Sequence, residues 1–538
     1  MAEKINMLDC TLRDGGYVND WNFGHSTIIN TYKRLDDSGI EYIEIGFLDE
    51  RRPFDINRTI TPNTNGFNEI FSNVKKKQAI PVAMIDFGTC SLDNITPSNE
   101  SFIEGIRVIF KKEKIEQALP YCQKIKEKGY KLFIQAISIT SYSIEEMIEY
   151  IKKINIIKPY AFSIVDTYGL LDKDSLTSYF KIIDYYLNPE IKIGYHSHNN
   201  FQLAFSNTSE MARFNTSREL ILDSTAYGMG KSAGNCPSEL LAMHLNNYYK
   251  KAYNLNQILE IIDTNLMPIY NEKYWGYKYD FYISAMQNCH PNYVQFLLNK
   301  NTLTISSINE ILSKIPKDKK LLYDENFIKE SYINYQNIQF NDNEIYKKLK
   351  DIISRSPILL IGPGLTIKTY KNKINEFISK ENPYIISLNF NPHNINNDLL
   401  FISNSKRYSK IADISLLNTT NHKTITIATS NITQLDYPID YMLNYASLCE
   451  KTKTNSDNSL ILCLYALLNI NKNNIYLAGC DGFSNNDLQN YYNKSLIYEK
   501  KSKSIEENNK NIKMELDFLK TKMNIYFLTP SKYENGKI

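Results

Sequence analysis

Two short runs decide the fold of this chain: Leu8-Asp9-Cys10-Thr11-Leu12-Arg13-Asp14-Gly15-Gly16 near its start, and His196-Ser197-His198-Asn199-Asn200 much later. Each run follows apolar residues that predict a strand, so a strand ending in Arg-Asp and one ending in His-x-His can meet. Side chains alternate faces along a strand, which points His196 and His198 the same way. Two imidazoles and one carboxylate suit a divalent metal with open positions. The runs predict a metal site with Arg13 beside it, placed to stabilise an enolate or carboxylate oxygen.

Eight candidate strands alternate with helical segments up to about residue 235. The segments Lys114–Lys128 and Ile144–Lys153 carry apolar residues at helical spacing. Eight such repeats predict an α/β fold, a closed (β/α)₈ TIM barrel; an open doubly wound sheet is the alternative, but it usually has fewer strands. The strands are Ile5–Thr11, Tyr42–Phe47, Ile80–Asp86, Ile106–Phe110, Lys131–Ile137, Ala161–Thr167, Lys192–His198 and Leu220–Ala226.

Polar residues are expected at or just past the carboxyl ends of these strands, where barrel enzymes place their chemistry. This clustering favours the barrel over the open sheet. The residues are Arg13, Asp14, Glu44, Asp86, Asp166, Thr167, His196, His198 and Tyr227.

The rest of the chain predicts a helical extension and a second α/β unit with an open parallel, Rossmann-like sheet. Its first strand, Ile358–Ile361, precedes a Gly362-Pro363-Gly364 turn and a helix from Thr366 to Ser379. Such a turn can bind phosphate or can be a plain tight turn, and both interpretations stay open. We predict domains at 1–285, 286–354 and 355–538. Further strands are predicted at Tyr384–Asn389, Leu399–Ser403, Thr424–Thr429 and Ile475–Ala478.

The composition of the chain limits the kinds of partner and location that we expect for it. A net charge of +3 gives no strong attraction to nucleic acid or membrane, and the longest apolar stretch, Leu460–Leu468, is too short for a membrane span. The eight cysteines form no C-x-x-C pair, and the N-terminus enters a strand at once, which leaves no room for a signal peptide. We therefore expect a cytoplasmic protein that acts on small molecules, and we also expect a homo-oligomer. The charged stretch Tyr498–Lys522 predicts a solvated helix.

Five motifs in order resemble the metal-dependent barrel superfamily of pyruvate-type aldolases and acyl lyases, which includes 4-hydroxy-2-oxovalerate aldolase, hydroxymethylglutaryl-CoA lyase and isopropylmalate synthase. They are T-L-R-D-G at Thr11–Gly15, I-E-I-G at Ile43–Gly46, D-T-x-G at Asp166–Gly169, H-S-H-N-N at His196–Asn200, and the glycine-rich loop Tyr227–Asn235. The continuation of H-x-H-N-N into Leu203-Ala204 is most similar to the hydroxy-oxovalerate aldolase branch.

The resemblance implies a role for each matching residue. Asp14, His196 and His198 would bind Mn²⁺ or Mg²⁺, and Asn235 would add a ligand or support one. Arg13 would stabilise the enolate of a pyruvate-like 2-keto acid, which reacts with an aldehyde. Further residues would contact substrate, namely Thr167 near the keto-acid carboxylate, and Gly230 and Lys231 in the glycine-rich loop.

The chain differs from the family at the residue that would act as the general base. The aldolase branch carries a histidine just after R-D-G, where this chain has Gly16-Tyr17. Tyr17, Glu44, His25 or a water could serve instead. The acyl-lyase branch uses a cysteine in its glycine-rich loop; Cys236 lies just beyond the matching loop, so we interpret it as a structural thiol.

Two alternatives stay open. One is a Claisen-type acyl-CoA lyase or synthase. The other is a bifunctional protein, because patches around the G-P-G turn and Gly479-Cys480-Asp481-Gly482 resemble the nucleotide-binding core of bacterial sialyltransferases. That resemblance would imply a nucleotide or nucleotide-sugar partner and a role in surface-polysaccharide metabolism; the other interpretation is a structural or oligomerisation domain.

Overall fold

The computed structural model describes residues 4–300, 303–321, 323–336, 341–392, 395–415, 424–432, 438–454, 456–484, 490–493, 496 and 505–534. The chain forms two compact units, Met1–Pro291 and Asn292–Ile538.

Eight parallel strands close the barrel of the first unit, which confirms the predicted fold. Neighbouring strands pair in sequence order, and β1 pairs with both β2 and β9, so the sheet has no open edge; the short β3 pairs only with β2. The strands are β1 (Ile5–Asp9), β2 (Tyr42–Leu48), β3 (Ile60–Thr61), β4 (Ile80–Asp86), β5 (Gly105–Ile109), β6 (Lys131–Ala136), β7 (Ala161–Asp166), β8 (Lys192–Ser197) and β9 (Leu220–Ser224).

Amphipathic helices cover the barrel. For example, the helix Ile144–Ile157 begins with a capping box between Ser143 and Glu146 and buries Met147, Ile151 and Ile154. The helices of this unit are α1 (Thr11–Asp14), α2 (Gly16–Asn19), α3 (His25–Ser38), α4 (Thr64–Ile70), α5 (Ile115–Glu127), α6 (Ile144–Ile157), α7 (Lys173–Tyr186), α8 (Ala204–Met211), α9 (Ser238–Tyr249), α10 (Leu255–Ile261), α11 (Met267–Glu272) and α12 (Tyr279–Met286).

The first strand ends earlier than the sequence predicts. β1 stops at Asp9, and Arg13 and Asp14 lie on the one-turn helix α1. The carboxylate Oδ1 of Asp9 accepts a hydrogen bond from the backbone N–H of Thr11 at 2.9 Å. A carboxylate that bonds the backbone two residues on turns the chain, which explains why the strand does not continue.

The predicted position of Glu44, at or just past the carboxyl end of a strand, is also wrong. It is the third residue of β2 and is fully buried, so it lies inside the barrel and not at a carboxyl strand end. The strand continues to Leu48 with a register shift after Glu44. Gly46 permits this irregularity, since an added Cβ would lie 1.8 Å from the carbonyl oxygen of Thr59.

The second unit contains an open parallel sheet, as predicted, with strand order β14-β13-β12-β11-β10-β15-β16. The five predicted strands are present within one residue at each end, and two further strands at the sheet edges, Tyr441–Leu443 and Asn524–Phe527, were not predicted. The strands are β10 (Ile358–Ile361), β11 (Tyr384–Leu388), β12 (Leu399–Ile402), β13 (Ile425–Thr429), β14 (Tyr441–Leu443), β15 (Asn474–Ala478) and β16 (Asn524–Phe527).

Helices flank this sheet and precede it. The predicted solvated helix is present as Ile505–Leu519, but one face packs into the core through Ile512, Leu516 and Leu519; residues 498–504 of that prediction lie outside the described residues. The helices are α13 (Pro291–Asn299), α14 (Ile305–Ser313), α15 (Lys317–Lys320), α16 (Glu325–Gln336), α17 (Asn343–Ile352), α18 (Thr366–Thr369), α19 (Lys371–Glu381), α20 (Ser405–Ser415), α21 (Tyr445–Glu450), α22 (Ser459–Asn469) and α23 (Ile505–Leu519).

Across the described part of the chain, none of the helices combines the length and the apolar character that crossing a membrane requires.

Candidate active site

Three potential metal ligands meet at the carboxyl end of the barrel. Asp14 lies on α1, His196 on β8 and His198 just after β8. All three are buried, and one ligand atom from each lies within 4.8 Å of the others. Burial lowers the pKa of His198 to about 3. Burial alone would raise the pKa of Asp14, but the Arg13 guanidinium and other neighbours, including the hydrogen bond from Asn235, together hold it well below its usual range. The site thus offers a neutral imidazole and an ionised carboxylate, the forms that bind metal.

Two orphaned polar atoms lie in the same group of residues. The amide nitrogen of Asn235 donates to Oδ2 of Asp14 at 2.5 Å, but its Oδ1 is buried without a hydrogen-bond partner, and so is Nδ1 of His198. Buried polar atoms without partners are rare in folded proteins and often mark a missing ion or water. Two imidazoles and a carboxylate suit a divalent transition metal, and the amide oxygen of Asn235 can add an oxygen donor. The residues present therefore fit a divalent cation.

Gly230 allows the ligand cluster to be compact. A Cβ at this position would lie 2.1 Å from Nδ2 of Asn235 and 2.5 Å from Oδ2 of Asp14. The next residue, Lys231, donates its backbone N–H to the same Asp14 oxygen at 3.2 Å. The glycine-rich loop predicted from the sequence therefore holds Asp14 through backbone and side-chain contacts.

Arg13 lies between two carboxylates. Its Nη1 donates to Oδ1 of Asp14 at 2.5 Å, and its Nε donates to Oε2 of Glu44 at 2.6 Å. The Trp21 indole donates to the Arg13 carbonyl at 2.8 Å, and the ring packs on Gly16, where any side chain would collide with it. These contacts explain the R-D-G-G run and fix the guanidinium beside the ligand cluster.

A buried ion-pair network supports the site, and sequence reasoning missed it. Arg107 on β5 pairs with Oε2 of Glu44 at 3.0 Å and with Oδ2 of Asp223 on β9. That Asp223 oxygen also lies 3.0 Å from Nδ1 of His196, so it orients the imidazole and leaves Nε2 for a metal. The signal in the sequence is a charge inside each apolar strand, in Gly105–Ile109 and in Leu220–Ser224.

The network carries surplus negative charge. Arg13 and Arg107 supply two positive charges, whereas Asp14, Glu44 and Asp223 supply three negative ones, which leaves one net negative charge. Burying an unpaired charge is costly, and the nearby Lys231 ammonium or a bound cation would offset this one.

A second group of possible ligands, formed by Cys10, His196 and Asp223, is less suited to a metal. Burial raises the pKa of the Cys10 thiol well above its usual value, so it stays protonated, and Sγ donates to the Ser224 carbonyl at 3.2 Å. Metal binding requires the thiolate. This group therefore supports the His196 ring and does not form a separate site.

Tyr17 and Lys231 lie together beside the cluster. The Lys231 amine is 5.5 Å from the centroid of the Tyr17 ring. Tyr17 is 42% exposed, yet protein atoms surround its phenol closely enough that desolvation raises its pKa. Burial also lowers the pKa of Lys231. At neutral pH Tyr17 is therefore a hydrogen-bond donor.

The other sequence candidates occupy separate positions. Oγ1 of Thr167, just after β7, accepts from the backbone N–H of Ser138 at 2.7 Å, and its hydroxyl can still donate. His25 begins α3, and its Nε2 lies 2.9 Å from the Ile70 carbonyl. Cys236 is fully buried, and burial raises the pKa of its thiol to about 12, as expected for a structural thiol.

Known proteins resemble the barrel half of this chain. Residues 4–264 match a family model described as HMGL-like. The chain is 23% identical over 264 residues to an oxaloacetate decarboxylase of Mycobacterium tuberculosis, which covers 48% of this chain and 76% of that protein. It is 24% identical over 242 residues to 4-hydroxy-2-oxovalerate aldolase 2 of Comamonas testosteroni, with 45% and 68% covered. A solved N-terminal domain from Bacteroides vulgatus has a TM-score of 0.47 at 24% identity, covering 57% of this chain and 99% of that domain.

The family match extends from β1 to beyond β9, which is the eighth strand of the barrel, and so covers the whole barrel. Together with the decarboxylase and aldolase relatives, it supports an enzyme of the carbon–carbon lyase class whose barrel is similar to the HMGL-like family.

Proposed function

We propose that the barrel catalyses a metal-dependent aldol reaction, which makes or breaks the bond between a pyruvate-like 2-keto acid and an aldehyde. One observation carries the proposal: Asp14, His196 and His198 converge beside Arg13, and the orphaned Oδ1 of Asn235 lies in the same cluster. When bound there, Mn²⁺ or Mg²⁺ supplies the Lewis acidity that stabilises an enolate. The aldolase and decarboxylase relatives support this reaction class.

The residues around the proposed metal ligands are proposed to have separate roles in the reaction. Arg13, held by Asp14 and Glu44, supplies fixed positive charge where the enolate oxygen develops. Thr167 and Lys231 are proposed to contact the substrate through a hydroxyl and an ammonium group. Tyr17 is proposed to donate a hydrogen bond to the aldehyde oxygen, since its phenol stays protonated.

The contacts narrow the choice of base. Glu44 is ion-paired to Arg13 and Arg107, which favours a positioning role for it. His25 is bonded to a backbone carbonyl, and Tyr17 is a donor. Of the four candidates considered from the sequence, a water is therefore the one we propose to take the proton of the substrate hydroxyl in the cleavage direction.

Product analysis separates this proposal from the acyl-CoA alternative. The full chain is incubated with Mn²⁺ and either a 4-hydroxy-2-oxo acid or acetyl-CoA together with a 2-keto acid acceptor, and released pyruvate and free CoA thiol are measured. We expect pyruvate release that Asp14→Asn abolishes and that the exposed-site control Asp93→Asn retains. CoA release without pyruvate release would contradict the aldol proposal and support the Claisen-type one.

The remaining expectations stay proposals: a cytoplasmic location, a homo-oligomer and a role in surface-polysaccharide metabolism. A nucleotide-sugar partner would need its own site in the second unit.

A further inference from the structure

The second unit contains a cavity of about 370 Å³. Its walls come from the segments that follow four strands, at the carboxyl edge of the sheet: Gly362–Gly364 after β10, Asn389 after β11, Asn404 after β12 and Gly479–Gly482 after β15. A volume in this range accommodates a small organic ligand.

The cavity lies at the topological switch point of the sheet. From β10 the chain adds β11 to β14 on one side and then returns to place β15 and β16 on the other side of β10. The connections that follow β10 and β15 therefore lead to strands on opposite sides of β10. Open α/β sheets bind ligands in a crevice outside the carboxyl ends of their strands.

The glycines of the G-P-G turn have a packing role here. A Cβ on Gly364 would lie 2.4 Å from Cγ of Asp481, and one on Gly362 would lie 2.7 Å from the Gly479 carbonyl. The glycines thus keep the two loops in close contact. Recognition of a ligand must then come from other groups in the cavity.

Positive groups converge on the cavity from two helices. Both α20 (Ser405–Ser415) and α22 (Ser459–Asn469) have eleven residues, and residues of the first turn of each helix line the cavity. Helix N-termini carry partial positive charge and free N–H groups that suit phosphate. The first turn of α20 adds two cationic side chains, Lys406 and Arg407.

The two cations are placed to meet a ligand. Arg407 is 5% exposed, and its guanidinium lies 4.8 Å from the ring centroid of Tyr491. Lys406 is half-buried and forms no ion pair with any residue in the described ranges. Asp481 is already engaged, because its carboxylate accepts from the backbone N–H of Thr366 at 2.9 Å and from the Thr366 hydroxyl; Asp457 also lines the cavity.

We propose that this cavity binds a phosphorylated small molecule, a nucleotide or a sugar phosphate, with its phosphate at Lys406, Arg407 and the two helix N-termini. Tyr491 and Tyr533 offer aromatic surface, and the amide of Asn511 offers hydrogen bonds, for the rest of the ligand. This inference is independent of the aldol reaction proposed for the barrel.

Calorimetric titration of the full chain tests the proposal. The probes are UDP, GDP, CMP and glucose 1-phosphate, each compared with its unphosphorylated counterpart. We expect at least one phosphorylated probe to bind, and its counterpart to bind at least about tenfold more weakly, as charge-assisted hydrogen bonds predict. Binding of a nucleotide or of glucose 1-phosphate alone would assign the class of ligand. The absence of binding by every phosphorylated probe would overturn the proposal.

Variants locate the site. We expect Lys406→Gln to weaken binding about tenfold and Lys406→Arg to retain most of it. The control Lys380→Gln, at a 78% exposed lysine of the same unit, should bind like the wild type. Asp14→Asn should also bind normally, which separates this site from the barrel. Binding that is unchanged in Lys406→Gln, or lost in Asp14→Asn, would refute the assignment.

Discussion

Replacement of Gly230 by alanine should disable the metal site while the barrel stays folded. The new Cβ would lie 2.1 Å from Nδ2 of Asn235 and 2.5 Å from Oδ2 of Asp14, so the two side chains must separate by roughly 1 Å to reach ordinary contact distances. Overpacking of this kind costs about 1–3 kcal/mol of stability. A shift of about 1 Å in a reacting group can lower the rate about a hundredfold.

Mn²⁺ titration followed by electron paramagnetic resonance measures the first effect directly. We expect the Mn²⁺ affinity of Gly230→Ala to fall about tenfold or more, as it does when groups that orient ligands are disturbed. The control is Gly24→Ala: Gly24 has a φ of 83° and no atom within 4 Å of an added Cβ. Gly24→Ala should lose about 1–3 kcal/mol of stability, because a φ of 83° with a ψ of 136° disfavours any side chain, and should keep its Mn²⁺ affinity. Wild-type Mn²⁺ affinity in folded Gly230→Ala would refute the close-approach argument.

Three further predictions address the supporting residues. Asp223→Asn should lower Mn²⁺ affinity about 10- to 100-fold in the same titration, because it weakens both the orientation of His196 and the pairing of Arg107; unchanged affinity would show that the network is only structural. Lys231→Met should raise KM for the substrate more than it lowers kcat, and the reverse pattern would contradict a substrate-binding role. Burial raises the pKa of Asp9 from 3.8 to about 6, so the folded state holds a proton that the unfolded state releases, and this contribution to stability is lost as pH rises from about 4 to about 6. The change in pKa corresponds to roughly 3 kcal/mol of unfolding free energy. Urea unfolding at both pH values should show that the wild type loses more stability between them than Asp9→Asn does. An equal loss in the two proteins would contradict this prediction.

Most of the fold follows from local sequence pattern. The barrel strands are short apolar runs bounded by turns, and their ends were predicted within two residues, from β1 (Ile5–Asp9) to β9 (Leu220–Ser224). The edge strands β14 and β16 were missed because they are short; β14 has only three residues, and β16 exposes Asn524 and Tyr526. Their strand character comes from pairing with a neighbour, which no local pattern reports.

Only some residues of the candidate site could be predicted from the sequence. Asp14, His196 and His198 stand in recognisable runs, and the barrel brings them together as expected. Arg107 and Asp223 lie on strands far apart in the chain, and only closure of the barrel pairs them with each other. The placement of Glu44 was wrong because it is the third residue of its strand, where it pairs with Arg13 and Arg107 from other elements of the barrel.

Exchange of the methyl protons of pyruvate with D₂O, followed by proton NMR, tests enolate formation at this site most directly. We expect exchange that requires added Mn²⁺ or Mg²⁺, that Asp14→Asn abolishes, and that Asp93→Asn retains. Metal-loaded wild-type protein that exchanges no simple 2-keto acid, or an Asp14→Asn variant that exchanges as fast as the wild type, would contradict it.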